Sequence, residues 1–197
     1  MLGIVTEVTV ALLPSPETKT VLLAAFSHVV DAGNAVAAII AAGIIPAGME
    51  MMDKMAVQAA EAFAKAGYPL DAEAILIIEL DGADAELATL NDQVTELLRI
   101  HGAYQIDEAH DATQQARLWK GRKSAFPAVG RLSPDYLCMD GTIPRKTLPK
   151  VLSEIDDISQ TFGLAVANVF HAADGNLHPL ILFDANVAGQ TDKAMAM

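Results

Sequence analysis

The sequence predicts an α+β fold, in which helices cover an antiparallel sheet in the manner of a doubled ferredoxin-like unit. Strand-like and helix-like segments alternate along all 197 residues without a low-complexity linker. Paired helices with short connections favour an antiparallel sheet with its helices on one face. A doubly wound parallel sheet is the alternative. Against it, neither G-x-G-x-x-G nor G-x-x-x-x-G-K-[ST] occurs in the chain, so no strand is followed by a glycine-rich phosphate loop.

The first half of the chain contains four strand patterns and three helix patterns. In chain order, strands are predicted at 3–13 and 19–27 and helices at 28–42 and 52–67. A strand at 73–82, a helix at 84–100 and a strand at 103–110 follow. Glycines end the three helices, at Gly43, Gly67 and near Gly102. The run at 73–82 is apolar throughout, which indicates a buried strand.

The second half continues with a helix over 112–126 that Gly121 interrupts, and with a strand over 135–143. A helix over 145–163 follows, with Pro149 in its first turns, where proline is tolerated. The apolar segments at 164–170 and 177–184 then flank an Asp-Gly pair, which predicts a hairpin.

That hairpin sets two of the five histidines against each other. If Asp174 and Gly175 form a two-residue loop, His171 lies directly opposite His178, with Cβ atoms roughly 5 Å apart. Alternation then directs Phe170, Leu177, Ile181 and Phe183 to the buried face. We therefore expect the two imidazoles, together with Asn176, on the more polar face of the hairpin.

Composition and charge narrow the class of protein. With 52% apolar residues and a net charge of −12, the chain suits a folded protein and argues against a general nucleic-acid or anionic-membrane binder. No signal peptide and no membrane-spanning segment are visible. The single Cys138 excludes an internal disulfide. We therefore expect a soluble, cytoplasmic protein, with peripheral attachment to the inner membrane as the alternative.

Positive charge is concentrated in residues 117–150, which hold eight of the thirteen Lys and Arg and only two Asp. This pattern predicts either an anion site or a solvated helix face. Arg122 is the candidate for a carboxylate, because its planar fork binds that group in bidentate fashion. The alternative is a helix that packs Trp119 inward and turns its charges to water.

His171 and His178 allow three interpretations. Neutral imidazoles can share a divalent metal such as Zn, Fe or Mn, they can bind a ligand through hydrogen bonds, or they can be structural. Asp174 is a weak candidate for a third ligand, because a turn aspartate commonly bonds its own backbone. No G-x-S-x-G is present, and a lone cysteine in an apolar strand is a poor nucleophile.

Three segments, at 2–14, 117–145 and 170–186, together resemble the FAD-linked oxidases of the vanillyl-alcohol-oxidase type, within the glycolate oxidase D subunit and D-lactate dehydrogenase family. The run His-x-x-Asp-Gly-Asn-Leu-His at 171–178 is the most specific part. The resemblance implies that residues 1–17 are the last strand of a truncated FAD-binding domain and its connection. Residues 18–197 would then be the substrate-binding cap domain, truncated at its C-terminus.

The resemblance also implies the chemistry. The complete protein would be an FAD-dependent oxidoreductase that converts glycolate or D-lactate to the 2-oxo acid, with hydride passing to flavin N5, and the fragment alone would be inactive. Its partners would be the small 2-hydroxy acid, its own FAD-binding domain, other oxidase subunits that carry electrons, and a second copy of itself. The alternative is a non-catalytic α+β module that binds a metal or an anion.

Several residues carry implied roles. Arg122 and Asn176 would bind substrate, and His171 and His178 would be metal ligands. Flavin contacts would come from Gly3, Ile4, Val5 and Asn176. The third metal ligand and the catalytic base would lie beyond Met197, so none is expected within the chain. Cys138 replaces a lysine of relatives that act on larger acids, which favours a small monoacid, and Ala173 replaces the usual glycine.

Overall fold

The computed structural model describes residues 3–12 and 15–197. Within these ranges the chain forms nine strands, seven α-helices and one short 3-10 helix at Arg145–Thr147. The strands are β1 (Thr18–Phe26), β2 (Gly48–Asp53), β3 (Ala74–Gly82), β4 (Ala103–Ala109), β5 (Asp135–Cys138), β6 (Gly141–Thr142), β7 (Val166–His171), β8 (Asn176–Leu177) and β9 (Pro179–Phe183). The helices are α1 (Val29–Ala41), α2 (Lys54–Ala64), α3 (Asp84–Ile100), α4 (Ala112–Lys123), α5 (Ala125–Val129), α6 (Leu148–Phe162) and α7 (Gln190–Ala196).

The strands form one antiparallel sheet made of two related halves. The order β4-β1-β3-β2 is that of a ferredoxin-like unit with α2 inserted before β3. In the second half, β9 lies between β5 and β7, so that β5, α6, β7 and β9 repeat the arrangement of β1, α1, β2 and β3. Pairing of β2 with β7 joins the halves. The doubled ferredoxin-like prediction is confirmed, and the parallel alternative is wrong.

Helices cover both faces of the sheet, so the prediction of helices on one face is wrong. Helices α1, α3 and α6 bury one core with the side of β1 that carries Leu22 and Phe26. Helices α2, α4 and α5 bury the other core with the side that carries Val21 and Leu23. Central strands β1 and β3 are buried on both sides, which explains their nearly unbroken apolar sequences.

The predicted first strand is not formed. Residues 3–12 are exposed and belong to no strand. Leu13, which the same prediction included, lies outside the described residues, as do Met1, Leu2 and Pro14 of the predicted FAD-binding segment. No helix in the described ranges combines the length and apolar character needed to cross a bilayer.

The hairpin has a different register from the predicted one. His171 pairs with Asn176 instead of His178, and residues 172–175 form a four-residue turn. A two-residue Asp-Gly loop of the predicted kind needs positive φ at both positions, and Gly175, at φ 70°, adopts it while Asp174 does not. A third strand also fixes the turn, since the Ile143 amide donates to the Gly175 carbonyl at 2.9 Å.

Helix α4 runs through Gly121, so the predicted interruption there is wrong. The glycine is needed because a Cβ at this position would lie 2.6 Å from the Ala66 Cβ and still closer to the Tyr68 hydroxyl. That hydroxyl donates a hydrogen bond to the Leu118 carbonyl at 2.5 Å, which fixes α4 against the loop after α2. The close approach sets the position of Arg122, the next residue.

Replacement of Gly121 tests this close approach. We expect Gly121→Ala to lower the free energy of unfolding by about 1–3 kcal/mol, because the methyl group overpacks the contact. Urea denaturation provides the measurement, with the exposed Lys120→Ala as the control in the same helix. A Gly121→Ala protein as stable as the control would contradict the assigned packing.

Asp53 links β2 to β7 at the position next to their paired residues. One carboxyl oxygen of this residue accepts from the Ala56 amide at 2.9 Å and caps α2. The other accepts from the Asn168 amide at 2.7 Å and from the Asn168 side chain at 2.9 Å. Burial raises the pKa of Asp53 to about 6, and the hydrogen bonds oppose but do not cancel that rise.

The raised pKa of Asp53 predicts a pH effect on stability. Its carboxyl binds a proton more tightly in the folded state, so its contribution is complete below the unfolded pKa of 3.8 and is lost as pH rises through about 6. The unfolding free energy of the unsubstituted chain, relative to that of Asp53→Asn, should therefore fall between about pH 4 and 7. Urea denaturation at both pH values measures this difference. An unchanged or rising difference would contradict the assignment.

Candidate functional site

The candidate site lies where β2 meets β7, beneath α4. Glu50 of β2 is directly opposite His171 of β7 in the antiparallel register. Helix α4 places Trp119 over Gly48, with 3.4 Å between the ring and an ideal glycine Cβ. Arg122, one helical turn further on, contacts Glu50, two residues further along β2. The site is therefore built from the join between the two halves of the sheet.

Glu50 contacts both an arginine and a histidine. One carboxylate oxygen, Oε2, accepts a hydrogen bond from Arg122 Nε at 3.0 Å and lies 2.7 Å from Arg122 Nη2. The other, Oε1, lies 2.8 Å from His171 Nδ1. The Glu50 and Arg122 side chains are 13% and 8% exposed, so solvent screens their interaction little.

The two histidines converge, although they are not directly opposite. Their ring centroids lie 5.3 Å apart at an interplanar angle of 86°. His178 is offset diagonally from His171 on the same side of the sheet, and its ring also meets Phe126 at 6.0 Å. The predicted convergence is present, but through this diagonal relation.

Each histidine turns its Nδ1 towards a carboxylate. His171 Nδ1 faces Glu50, and His178 Nδ1 lies 3.7 Å from Asp140 Oδ1, within ion-pair distance but beyond hydrogen-bond distance. Nε2 of each ring is therefore the nitrogen turned away from these carboxylates. In the described ranges 3–12 and 15–197, no group of three or more His, Cys, Asp or Glu side chains is arranged to hold a metal ion.

Two buried polar atoms at this site have no hydrogen-bond partner among the described residues. One is Arg122 Nη2, which makes no aligned hydrogen bond but lies 2.7 Å from Glu50 Oε2 and forms an ion pair with it. The other is Asn176 Oδ1, on the residue directly opposite His171. The charge of Glu50 therefore compensates Arg122 Nη2, whereas a buried acceptor left unpaired is costly, which makes Asn176 a candidate for binding a ligand donor.

The remaining predicted site residues lie elsewhere or take other roles. Gly3, Ile4 and Val5, the predicted flavin contacts, are exposed and belong to neither of the two main hydrophobic cores. Cys138 is exposed on β5, where burial, followed by the charge of Asp140, raises the pKa of its thiol, so the thiol stays protonated. Trp119 is half-buried and donates to Glu79 at 2.8 Å, so this ring packs inward as one interpretation predicted. Lys120 and Lys123 of the same helix are exposed to solvent.

Sequence reasoning missed Glu50 and the contact of Asp140 with His178. The segment 48–53 reads Gly-Met-Glu-Met-Met-Asp and was not assigned to any strand. Glu50, an acidic residue between two methionines, is the available signal, because a charge in an apolar strand requires a buried partner.

The chain matches one family model and is similar in sequence to several known proteins. Residues 15–197 match the family model described as FAD linked oxidases, C-terminal domain. Over 194 residues the chain is 57% identical to glycolate oxidase subunit GlcD of Escherichia coli, covering 98% of this chain and 39% of the relative. It is 36% identical to the Bacillus subtilis subunit of the same name, covering 93% and 39%.

A more distant relative is similar in sequence, and a solved structure is similar in fold. The chain is 29% identical to a probable mitochondrial D-lactate dehydrogenase of Danio rerio, covering 94% of this chain and 37% of that one. Its fold is similar to that of substrate-bound p-cresol methylhydroxylase, with a TM-score of 0.66 at 13% identity over 93% of this chain and 42% of the other. The chain thus spans less than half the length of the curated relatives it matches.

The Arg122–Glu50 pair predicts a stability effect. We expect Arg122→Ala to lower the free energy of unfolding by about 3 kcal/mol, because it leaves the buried Glu50 carboxylate without its cation. Urea denaturation is the measurement, and the exposed neighbour Lys123→Ala is the control, with an expected change of less than about 0.5 kcal/mol. Equal effects of the two substitutions would show that Arg122 is not paired as described.

Proposed function

Because the chain belongs to the family of FAD-linked oxidase C-terminal domains, we propose that it is the substrate-binding cap of an FAD-dependent oxidoreductase. The substrate would be a small 2-hydroxy acid, glycolate or D-lactate, which is converted to the 2-oxo acid. The names of the relatives, glycolate oxidase subunit and D-lactate dehydrogenase, support this substrate class. When bound, FAD supplies the hydride acceptor of the reaction.

The observation that carries this proposal is the guanidinium edge of Arg122 that Glu50 leaves open, together with the unpaired acceptor of Asn176. A 2-hydroxy acid offers a carboxylate, which accepts hydrogen bonds, and a hydroxyl, which donates one. The carboxylate matches the Nη1–Nη2 edge of Arg122, and the hydroxyl matches Asn176 Oδ1, which has no partner among the described residues. Glu50 occupies the Nε–Nη2 edge of the guanidinium, so the Nη1–Nη2 edge is the one that meets the substrate.

Burial of Arg122 supports a role in binding. A guanidinium that is only 8% exposed interacts with a substrate charge in a medium of reduced dielectric constant, where the attraction is stronger than in water. It is also held in place before the substrate arrives, which lowers the entropy cost of binding. The Glu50 charge offsets the cost of burying Arg122 when no substrate is present.

We also propose that His171 and His178 provide two ligands of a divalent metal such as Zn, Fe or Mn. Imidazoles bound to one tetrahedral ion have ring centres roughly 5 Å apart, which agrees with the 5.3 Å between these rings. Nδ1 of His171 faces a carboxylate, as in many metal-bound histidines, and leaves Nε2 for the ion. The described residues supply two ligands, so the remaining coordination positions of the ion would be filled by groups from outside these residues.

The division of the chain is a further part of the proposal. Residues 18–197 would be the cap, and residues 1–17 would belong to the FAD-binding part, with Gly3, Ile4 and Val5 near the flavin. The match of the family model from residue 15 and the start of β1 at Thr18 support this boundary. Exposed Ile4 and Val5 side chains are consistent with a segment that packs against another domain.

A chimera tests the proposed function. This chain should replace the matching 39% of the Escherichia coli subunit, to which it is 57% identical, and retain flavin-dependent oxidation of glycolate or D-lactate, measured by dye reduction. In the chimera, Arg122→Lys should lower kcat/KM by a factor that corresponds to about 1.5–3 kcal/mol of lost transition-state stabilisation, since one bidentate hydrogen bond to a charged group is lost. The exposed Lys120→Ala is the control and should change little.

Two results would contradict the proposal. A chimera that binds flavin but oxidises no 2-hydroxy acid would favour a non-catalytic binding module. If Lys120→Ala abolished turnover while Arg122→Lys did not change it, a different cation would bind the carboxylate.

A further inference from the structure

We propose that Glu50 is a positioning residue that fixes the tautomer of His171 and holds Arg122 for the substrate, an inference that rests on the proposed function. No role for Glu50 follows from the His-x-x-Asp-Gly-Asn-Leu-His run, since it lies 121 residues away on another strand. The assignment comes from the two ends of one carboxylate, each of which contacts a different candidate site residue.

Chemistry determines which nitrogen of His171 carries the proton. A carboxylate only accepts hydrogen bonds, so the 2.8 Å contact between Glu50 Oε1 and His171 Nδ1 requires a hydrogen on Nδ1. In a neutral imidazole the other nitrogen, Nε2, then holds a free lone pair. Nε2 is then the atom that can bind a metal ion.

The same carboxylate holds Arg122 through its other oxygen. Oε2 receives Nε at 3.0 Å and has Nη2 at 2.7 Å, so the guanidinium plane is set by Glu50 and not by the substrate. The register of β2 against β7 places Glu50 opposite His171, and α4 places Arg122 above Glu50. Both contacts therefore depend on the backbone of three separate elements, which makes the geometry rigid.

A glutamine at position 50 would conserve the shape and change the chemistry. Its amide has one acceptor and one donor, whereas Arg122 and His171 both present donors to the carboxylate. If the amide oxygen turns to Arg122, its NH2 group faces His171 Nδ1. The imidazole must then move its proton to Nε2, and the lone pair needed at the site is lost.

Nitrogen-15 NMR of the chain measures the tautomer directly, without any metal. Long-range proton–nitrogen correlation spectra at a pH of about 8.5, well above the ordinary imidazole pKa of about 6.5, distinguish the two neutral forms. We expect the Nδ1–H form of His171 in the unsubstituted chain and a shift towards the Nε2–H form in Glu50→Gln. His171→Ala assigns the signal.

A matched control is available on the neighbouring strand. Glu79 of β3 is also a partly buried glutamate, 21% exposed, and it accepts from Trp119 at 2.8 Å without contacting either histidine. Glu79→Gln should leave the His171 tautomer unchanged. If Glu50→Gln alone does not fold, the double variant Glu50→Gln with Arg122→Met removes the unpaired cation and tests the same tautomer.

Metal binding provides the second readout, with Co(II) as the probe and its visible absorption as the signal. If the chain binds Co(II), Glu50→Gln should weaken the affinity roughly 10- to 100-fold, as for other groups that orient a metal-bound histidine. A tautomer shift without Co(II) binding in any variant would remove the proposed metal role and support the positioning role. An unchanged tautomer in both the single and the double variant would overturn the inference.

Discussion

The site depends on one carboxylate, that of Glu50, placed where the two halves of the sheet join. Its oxygens are divided between Arg122 and His171, so a single side chain links helix α4 to strand β7 through strand β2. Burying a carboxylate or a guanidinium alone is very costly, and each group is tolerated here because the other compensates it. The pair also leaves a defined edge of the guanidinium for a ligand.

The architecture explains why the site is located at this join. Two ferredoxin-like halves meet through β2 and β7, and the Asp53–Asn168 hydrogen bonds fix that register three residues from the Glu50–His171 pair. The close approach at Gly121 fixes α4 above the same strands. Each polar group therefore comes from an element that is anchored by buried contacts. A site on such a frame is preorganised, which favours binding of a small charged substrate.

Much of the local structure could be predicted from the sequence, and the reasons are specific. Helix α3 has the predicted bounds, Asp84–Ile100, because its apolar spacing is regular and Gly102 follows it. Strand β2 was missed because it is short and its three methionines suit a helix as well as a strand. Because β2 was not predicted, Glu50 was not recognised as the partner of Arg122. Pairing between positions 50, 122 and 171 is a tertiary property that no local pattern contains.

The hairpin illustrates the same limit. Alternation correctly placed both histidines on one side, since a register shift of two residues preserves the faces. The observed register is supported by β6, which pairs with β8, and by the adjacent Ile143 amide, which donates to the Gly175 carbonyl from more than thirty residues away. The Asp-Gly pair alone favours a two-residue loop, whereas contacts with β6 stabilise the four-residue turn at 172–175.

A double-mutant cycle on Glu50 and Arg122 tests most directly whether this carboxylate holds the site together. The free energy of unfolding would be measured by urea denaturation for Glu50→Gln, for Arg122→Met and for the double variant. The structure predicts a coupling energy of about 2 kcal/mol or more, with the double variant more stable than the sum of the single losses implies. Losses that add to within about 0.5 kcal/mol would contradict the pairing on which the site depends.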